Sequence, residues 1–133
     1  MTTVPPPSPF SLSVENRPHA VVVRVRGDLD YETQGKLVET VEALMARRPA
    51  ARHPVAELRL DFSDLTGVDS SGLSALLRIR RRTHAADVAL HLDQRPAALE
   101  RLLEMTGTLE LFTAAQSGPG QRPGTPNGAV GAG

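Results

Sequence analysis

The amino-acid sequence predicts an α/β fold: one domain with a mixed, mostly parallel β-sheet whose strands are joined by helical crossovers. Three observations support this prediction. The length of 133 residues suits a single domain. The apolar residues change repeatedly between the alternation typical of strands and the three-to-four-residue spacing typical of helices. The resulting order, β-β-α-β-α-β-α-β, alternates strands with helices and therefore indicates parallel strand pairs.

Two strands and a helix are predicted in the first part of the chain. Residues 11–15 alternate apolar and polar side chains, and residues 20–25 (AVVVRV) form the nearly continuous β-branched run typical of a buried strand. Over residues 32–47 the apolar side chains recur at helical spacing, and Arg47-Arg48 followed by Pro49 indicates where this helix ends. The inward residues of the helix are Leu37, Val41, Leu44 and Met45.

A third strand and a second helix follow. Residues 55–62 (VAELRLDF) are predicted to form a strand because their apolar and charged side chains alternate. The next helix runs from Ser70 to about His84 and carries four arginines towards its C-terminal half. The residues predicted to face the core are Leu58, Leu60 and Phe62 on the strand, and Leu73, Leu76 and Leu77 on the helix.

The last three elements are short. Residues 88–92 are predicted to form a strand, and Pro96 opens a helix over 97–105. Gly107 is expected to end that helix, since glycine commonly follows the last helical turn. Residues 109–112 are predicted to close the sheet as a final strand.

Both ends of the chain are predicted to be disordered, which leaves residues 10–115 as the folding unit. Residues 1–9 are rich in proline, and residues 116–133 consist largely of glycine and proline. Segments with so few large apolar side chains do not recover the entropy lost on ordering. We expect the C-terminal tail to be flexible and without a function of its own.

Composition excludes several classes of function. The chain has no cysteine, which rules out disulfides, thiolate metal sites and cysteine nucleophiles. Its net charge is zero, and its aromatic residues are one tyrosine and three phenylalanines, so direct nucleic-acid binding is not expected. No apolar run is long enough to span a membrane, and the N-terminus does not resemble a secretion signal. We therefore expect a soluble, cytoplasmic protein.

Residues 61–73 (DFSDLTGVDSSGL) are the most informative segment. They run from a strand, through a loop with Gly67, into the helix that begins at Ser70. Serine is a preferred N-cap because its hydroxyl accepts a hydrogen bond from a free N–H of the first turn. Asp69, just outside, places a negative charge at the positive end of the helix dipole. By local chemistry alone, this pattern predicts a well-capped helix and no particular function.

Three segments together resemble a known family. D-S-S-G-L in residues 61–73, preceded by D-x-S-x-[LV], resembles the phosphoacceptor motif of STAS domains, a family that includes the bacterial anti-sigma factor antagonists. Residues 27–33 (GDLDYET) resemble the family pattern G-[ED]-[LIV]-D-x-x-[ST], and residues 95–107 resemble S-P-x-[VL]-x-R-[LVI]-[FL]-x-x-[TS]-G. The resemblance covers residues 10–115. Arg95 departs from it, since the family has a capping serine there.

The resemblance implies a role for particular residues. The phosphorylated serine is expected at Ser70, and the surrounding surface is expected to meet a partner kinase. The residues implied in partner binding are Asp28, Asp30, Asp69, Ser71 and Gly72. The resemblance thus implies an anti-sigma factor antagonist whose unphosphorylated form binds the anti-sigma factor and releases the sigma factor.

The same resemblance implies the partners. They are an anti-sigma factor serine kinase of the GHKL type, which supplies ATP and Mg²⁺, and a PP2C-type phosphatase. The antagonist contributes only the serine hydroxyl, so it is expected to be a substrate and a binding module. We therefore expect no catalytic residue, no cofactor and no metal site in the chain itself.

Two enzymatic alternatives are weaker. A serine hydrolase needs a base beside Ser70, but the sequence has no G-x-S-x-G elbow and nothing directs His84 or His91 towards the serine. A receiver phosphorylated on aspartate would use acidic residues near strand ends, yet it also needs a late lysine, and the only lysine is Lys36. The aspartates considered for that role, and for a metal site, are Asp28, Asp30 and Asp61.

Two further alternatives concern binding. The arginine run on the second predicted helix suits phosphate or a membrane surface, but cations near a helix C-terminus are more often structural. That run consists of Arg78, Arg80, Arg81 and Arg82. STAS domains also serve as non-signalling subunits of lipid-transport complexes or as signalling scaffolds. The intact D-S-S-G motif favours the phosphorylated switch over that role.

Overall fold

The structure is a computed structural model that describes residues 10–47 and 55–115. Within these residues it has four strands, β1 to β4, and four helices, α1 to α4. The strands are β1 (Ser11–Arg17), β2 (Ala20–Leu29), β3 (Glu57–Val68) and β4 (Ala89–Asp93), and the helices are α1 (Gln34–Arg47), α2 (Ser70–Ala85), α3 (Ala97–Met105) and α4 (Leu109–Ala115). The predictions of disorder over 1–9 and 116–133, and of a helix stop at Arg48-Pro49, lie outside the described residues.

The strands form one mixed, mostly parallel sheet, as the sequence predicts, and their order in the sheet is β1-β2-β3-β4. β1 pairs with β2 in antiparallel register, whereas β2 with β3 and β3 with β4 are parallel. Each parallel pair is joined through one helix, α1 or α2. Because such crossovers are right-handed and the strand order advances in one direction, both helices lie on the same face of the sheet.

The hydrophobic core lies between that face and the helices. The predicted inward residues of β3 are completely buried, and so is Leu76 of α2. The same cluster includes Leu99 and Leu103 of α3 and Phe112 of α4, so all four helices share one core. The helical phase predicted for α2 is confirmed, since Leu73 and Leu76 are buried while Ser74 is exposed.

The opposite face of the sheet carries charged side chains joined across the strands. Arg24 of β2 lies 3.2 Å from Asp61 of β3, and Arg59 of β3 lies 3.0 Å from Asp93 of β4. Burial on its own raises the pKa of Asp61, but the bonds from Ser63 and Arg24 outweigh it and hold that pKa below 3.8. Alternation along β3 thus places apolar residues towards the helices and charges on this face.

The prediction of a final strand at 109–112 is wrong, because these residues begin helix α4. Phe112 is buried, Leu109 is half-buried and packed on the core, and Glu110 and Leu111 are exposed. The two inward residues are three apart, which is the spacing of a helix face and not of a strand. A four-residue apolar run does not by itself distinguish the two structures.

The start of α3 differs from the family pattern in the way that Arg95 implies. Pro96 is the N-cap residue and no side chain caps the helix. Arg95 instead donates hydrogen bonds to the carbonyl of Leu92 and to the carboxylate of Glu100 in the first turn. The predicted stop at Gly107 is confirmed, and its φ of +72° is the left-handed conformation that favours glycine after a helix.

Candidate functional site

The candidate site lies where β2 and β3 end, beside the start of α2. Both strands run further than predicted, and their last pairs are Asp28 with Gly67 and Leu29 with Val68. The N–H of Asp69 then donates to the carbonyl of Leu29 at 3.3 Å, which joins the start of α2 to the end of β2. The carboxyl ends of parallel strands are the usual place for binding sites in α/β sheets.

An irregularity at the end of β2 sets the direction of Asp28. The pairing register of β2 on β3 shifts between Gly27 and Asp28, and the φ of Gly27 is +93°. A side chain is strained at such a φ, which is why glycine occupies this position. Bulges of this kind commonly re-aim the side chain that follows.

The carboxylate of Asp28 is held by β3. The hydroxyl of Thr66 donates to Asp28 Oδ1 at 2.6 Å. The neighbouring Gly67 leaves room for this contact, because a Cβ there would lie 2.9 Å from the same oxygen. Asp28 itself remains exposed. No sequence motif indicated Thr66, since its contact with Asp28 depends on the register shift in the sheet.

Asp30 stabilises the turn between β2 and α1. Its Oδ1 accepts hydrogen bonds from the N–H groups of Glu32 and Thr33, at 3.0 and 3.2 Å. In return the N–H of Asp30 donates to the Thr33 hydroxyl, which itself donates to the carbonyl of Asp28 at 2.7 Å. Aspartate and threonine commonly bond to nearby backbone in this way. Asp30 is half-buried, so its first role is structural.

Helix α2 is capped by Asp69 and not by Ser70, so the expectation of a serine cap is wrong by one residue. Asp69 has an extended backbone, and its Oδ1 accepts the N–H of Gly72 at 3.0 Å. Aspartate and serine are similarly good N-caps, and the carboxylate gains in addition from the helix dipole. Ser70 is therefore the first helical residue. It is exposed, and its hydroxyl has no hydrogen bond within the described parts of the chain.

The two residues after Ser70 are progressively less accessible. Ser71 is half-buried, and Gly72 is buried against the end of β2. A Cβ at Gly72 would lie 2.5 Å from the carbonyl oxygen of Leu29 and 2.9 Å from Val68 Cγ2. Glycine thus allows the first turn of α2 to sit directly on β2, which leaves Ser70 as the outer of the two serines.

The acidic residues implied by the resemblance belong to the two adjoining turns of this site. Asp28 lies near the end of β2 and Asp30 directly follows that strand. Asp69 precedes α2, and the N–H of Asp69 is hydrogen-bonded to the end of β2. Asp28 and Asp69 are exposed. No group of three or more His, Asp or Glu suited to a metal ion occurs among residues 10–47 and 55–115.

The two candidate histidine bases lie far from Ser70. His84 is near the other end of α2, about 20 Å along the helix. His91 pairs with Arg59 on β3, about 30 Å along that strand from its end at Val68. Burial, followed by the charge of Arg59, lowers the pKa of His91 below 6.5. Neither imidazole is placed to activate Ser70, so the geometry does not support a serine hydrolase.

Two of the four arginines of α2 have structural partners. Arg82 forms an ion pair with Glu42 of α1 at 2.9 Å, and Arg80 donates to the carbonyl of Leu111 in α4 at 3.1 Å. The other two, Arg78 and Arg81, are exposed. The arginine run therefore serves in part to join α2 to its neighbours.

A family model for the STAS domain matches residues 11–118. This chain belongs to the STAS domain family. The match includes every strand and helix of the described residues.

Solved structures share the fold of this STAS protein. An anti-sigma factor antagonist from Mycobacterium paratuberculosis has 22% sequence identity and a TM-score of 0.64, with 82% of this chain and 87% of the other covered. The Bacillus cell fate determinant SpoIIAA, in its phosphorylated form, has 20% identity and a TM-score of 0.58, with 75% and 85% covered. A sulfate transporter family protein from Wolinella succinogenes has 13% identity and a TM-score of 0.56, with 71% of each chain covered. At these identities the comparison establishes the fold.

One of these neighbours belongs to a sulfate transporter family. Over the described residues, none of the helices combines the length and the apolar character that crossing a bilayer requires.

Proposed function

We propose that this STAS protein is an anti-sigma factor antagonist that is switched off by phosphorylation of Ser70. The observation that carries the proposal is the division of roles at the start of α2. Asp69 caps the helix, so the exposed hydroxyl of Ser70 is free of a structural task. A kinase can modify that hydroxyl without removing a bond on which the fold depends.

A phosphate on Ser70 is compatible with the folded protein. It adds about 1.5 to 2 negative charges at the first turn of a helix, where the dipole favours negative charge. The hydroxyl is exposed, so the added group does not have to enter the core. The Bacillus SpoIIAA structure, a phosphorylated protein of the same fold, supports this expectation. We therefore expect phosphorylation to leave the stability of the monomer nearly unchanged.

The effect of the phosphate is expected at the interface with the partner. Asp28 and Asp69 already make this surface acidic, and docking would bury the phosphate beside them. Leaving a buried charge without a partner costs about 3–5 kcal/mol. Because each 1.4 kcal/mol changes a binding constant tenfold, the phosphorylated form should bind on the order of 10²–10³ times more weakly. The unmodified form would bind the anti-sigma factor and release the sigma factor.

In this proposal the chain is a substrate and a binding module. A serine kinase of the GHKL type supplies ATP and Mg²⁺, and a PP2C-type phosphatase restores the hydroxyl. The protein itself contributes Ser70 and the surface around it, and it needs no cofactor of its own. The distance of both candidate histidines from Ser70 supports a non-enzymatic role.

The test uses the purified full chain and each GHKL-type serine kinase encoded in the genome of its source organism. The protein is incubated with kinase, ATP and Mg²⁺, the phosphate is located by mass spectrometry, and affinity is measured by calorimetry. We expect phosphate on Ser70, no phosphate on Ser70→Ala, and at least a hundredfold weaker binding of Ser70→Asp.

Ser71→Ala is the matched control, because Ser71 adjoins Ser70 but is half-buried. This variant keeps the acceptor hydroxyl and should still be phosphorylated on Ser70. Phosphate on Ser71 alone, or equal affinities of the wild type and Ser70→Asp, would contradict the proposal.

A second candidate is a non-signalling STAS subunit of a transport complex or scaffold. The shared fold with the Wolinella succinogenes sulfate transporter family protein favours it. This candidate predicts that no kinase modifies Ser70 and that Ser70→Ala keeps full function in the cell. The phosphorylation experiment therefore separates the two.

A further inference from the structure

An exposed aromatic side chain lies at the same end of the sheet as the candidate acceptor site. Among the described residues, the large apolar side chains that are most exposed are Tyr31, at 77%, and Met105, at 76%. Tyr31 follows Asp30 in the turn between β2 and α1. A tyrosine of this exposure buries little of its surface within its own domain, so packing in the core does not explain its presence.

The position of Tyr31 is fixed by the turn that carries it. The N–H groups on its C-terminal side, at Glu32 and Thr33, donate to the carboxylate of Asp30, and the N–H of Gln34 donates to the carbonyl of Asp30 at 2.8 Å. The carbonyl of Leu29, two residues before Tyr31, accepts the N–H of Asp69. The turn is therefore tied to the start of α2, and Tyr31 lies on the same end of the sheet as Ser70.

A tyrosine on a hydrogen-bonded turn suits the centre of a protein–protein interface. Its ring supplies a large contact area while only two side-chain torsions have to be fixed, so little entropy is lost on binding. Tyrosine is among the residues most enriched at positions that dominate binding energy. The backbone bonds around Tyr31 reduce the ordering cost further, because they already hold the turn in the unbound chain.

The charges around Tyr31 define the chemistry of the partner surface. Residues 28–36 and 69 include four carboxylates and one amine. The carboxylates are Asp28, Asp30, Glu32 and Asp69, and the amine is Lys36. A complementary surface would have an apolar pocket for the ring, bordered by arginine or lysine side chains that pair with these carboxylates and leave no cation for a phosphate on Ser70.

We propose that Tyr31 is the residue that anchors the unphosphorylated chain to the kinase that modifies Ser70, by inserting into an apolar pocket bordered by basic side chains. This inference rests on the proposed function, since it names the contact through which that kinase is bound. Tyr31 then supplies affinity, whereas Ser70 decides whether the complex persists. A residue that anchors both the substrate and the transition state changes KM and leaves kcat unaltered.

The experiment compares Tyr31→Ala and Tyr31→Phe with the matched control Met105→Ala in the full chain. Met105 is equally exposed, but it is the last residue of α3. The length of that helix, about 13 Å, separates it from the residues that follow the end of β4. Binding to the purified kinase is measured by calorimetry, and KM and kcat for Ser70 phosphorylation are measured separately. Tyr31→Ala should weaken binding at least tenfold and raise KM with kcat unchanged. Tyr31→Phe should retain most of the affinity, and Met105→Ala should bind as the wild type.

The melting temperature of each variant serves as the folding control, and because both side chains are exposed it should stay at the wild-type value. If Tyr31→Ala is phosphorylated on Ser70 with wild-type KM and affinity, the anchor is overturned while the phosphorylation switch stands. An equal loss in Met105→Ala also overturns it, because the effect would not be local. If no kinase phosphorylates Ser70, the proposed function and the anchor fail together.

Discussion

Helices α2 and α3 both follow a strand of the same parallel set, yet their first turns are built differently. Asp69 caps α2 through its carboxylate, and Gly72 brings that helix against the end of β2. At α3 the N-cap is Pro96, without a side-chain cap, and the ion pair of Arg95 with Glu100 lies beside it. The start of α2 is thus fixed by close backbone packing, and that of α3 by a side-chain contact nearer the surface. The more closely packed of the two starts is the one that carries Ser70, the proposed acceptor.

The largest effects are expected where the two helices do not differ, which is in the core. Leu76 of α2 and Leu99 of α3 are both completely buried. Leu76→Ala and Leu99→Ala should each lower the free energy of unfolding by about 2–5 kcal/mol, the usual cost of such a truncation. Denaturant melts measure this, with Leu111→Ala as an exposed control. A change below about 0.5 kcal/mol for Leu76→Ala would contradict the helical phase, given that exposed sites normally change by that little.

A smaller loss of stability is expected for a substitution that disturbs the close packing at the start of α2. In Gly72→Ala the added methyl group meets the carbonyl of Leu29, which belongs to the backbone and yields little. We expect a loss of about 1–3 kcal/mol in the free energy of unfolding, as for other overpacked sites.

Gly35→Ala is the matched control for that variant. Gly35 is also helical, but a Cβ there meets nothing within 4 Å, so its replacement should stabilise the protein slightly. If Gly72→Ala were as stable as Gly35→Ala in urea melts, the close approach of α2 to β2 would be wrong.

The smallest effect tests the caps themselves. Asp69→Ala removes the bond to the Gly72 N–H and should cost about 0.5–2 kcal/mol, whereas Asp69→Asn should keep most of the stability. Ser70→Ala should change the free energy of unfolding by less than about 0.5 kcal/mol, since its hydroxyl caps nothing. Thermal and urea melts of the three variants show whether Asp69 or Ser70 caps α2. A larger loss for Ser70→Ala than for Asp69→Ala would return the capping role to the serine.

Much of the fold followed from the sequence because burial imposes a regular spacing. Alternation in β3 and the inward leucines of α2 are direct results of that spacing, and the structure confirms both. The prediction of a final strand at 109–112 was wrong because Leu109 and Phe112 are three residues apart, in an apolar run too short to show whether its period is that of a helix or of a strand. That ambiguity is a property of short segments, which tertiary packing resolves.

The details of the candidate site were harder to predict than its location. Asp69 and Ser70 are both good N-cap residues, so the first residue of α2 could be located only from the backbone conformation in the structure. The bond from Thr66 to Asp28 depends on a register shift at Gly27, and such a shift depends on pairing between distant segments. What the motifs did indicate was that Asp28, Asp30 and Ser70 belong together. The continuation of β2 and β3 to Leu29 and Val68 explains how the two motifs meet.

The capping of α2 by Asp69 also has an evolutionary consequence. Folding places little demand on the residue at position 70, because the bonds that begin the helix are made by its neighbours. A lineage can therefore replace the serine with alanine, asparagine or glutamate and inherit an intact domain. Loss and recovery of the proposed phosphoacceptor would each take a single substitution, with no compensating change among the residues that begin the helix. Such a scaffold can pass between regulated and unregulated descendants without an unstable intermediate.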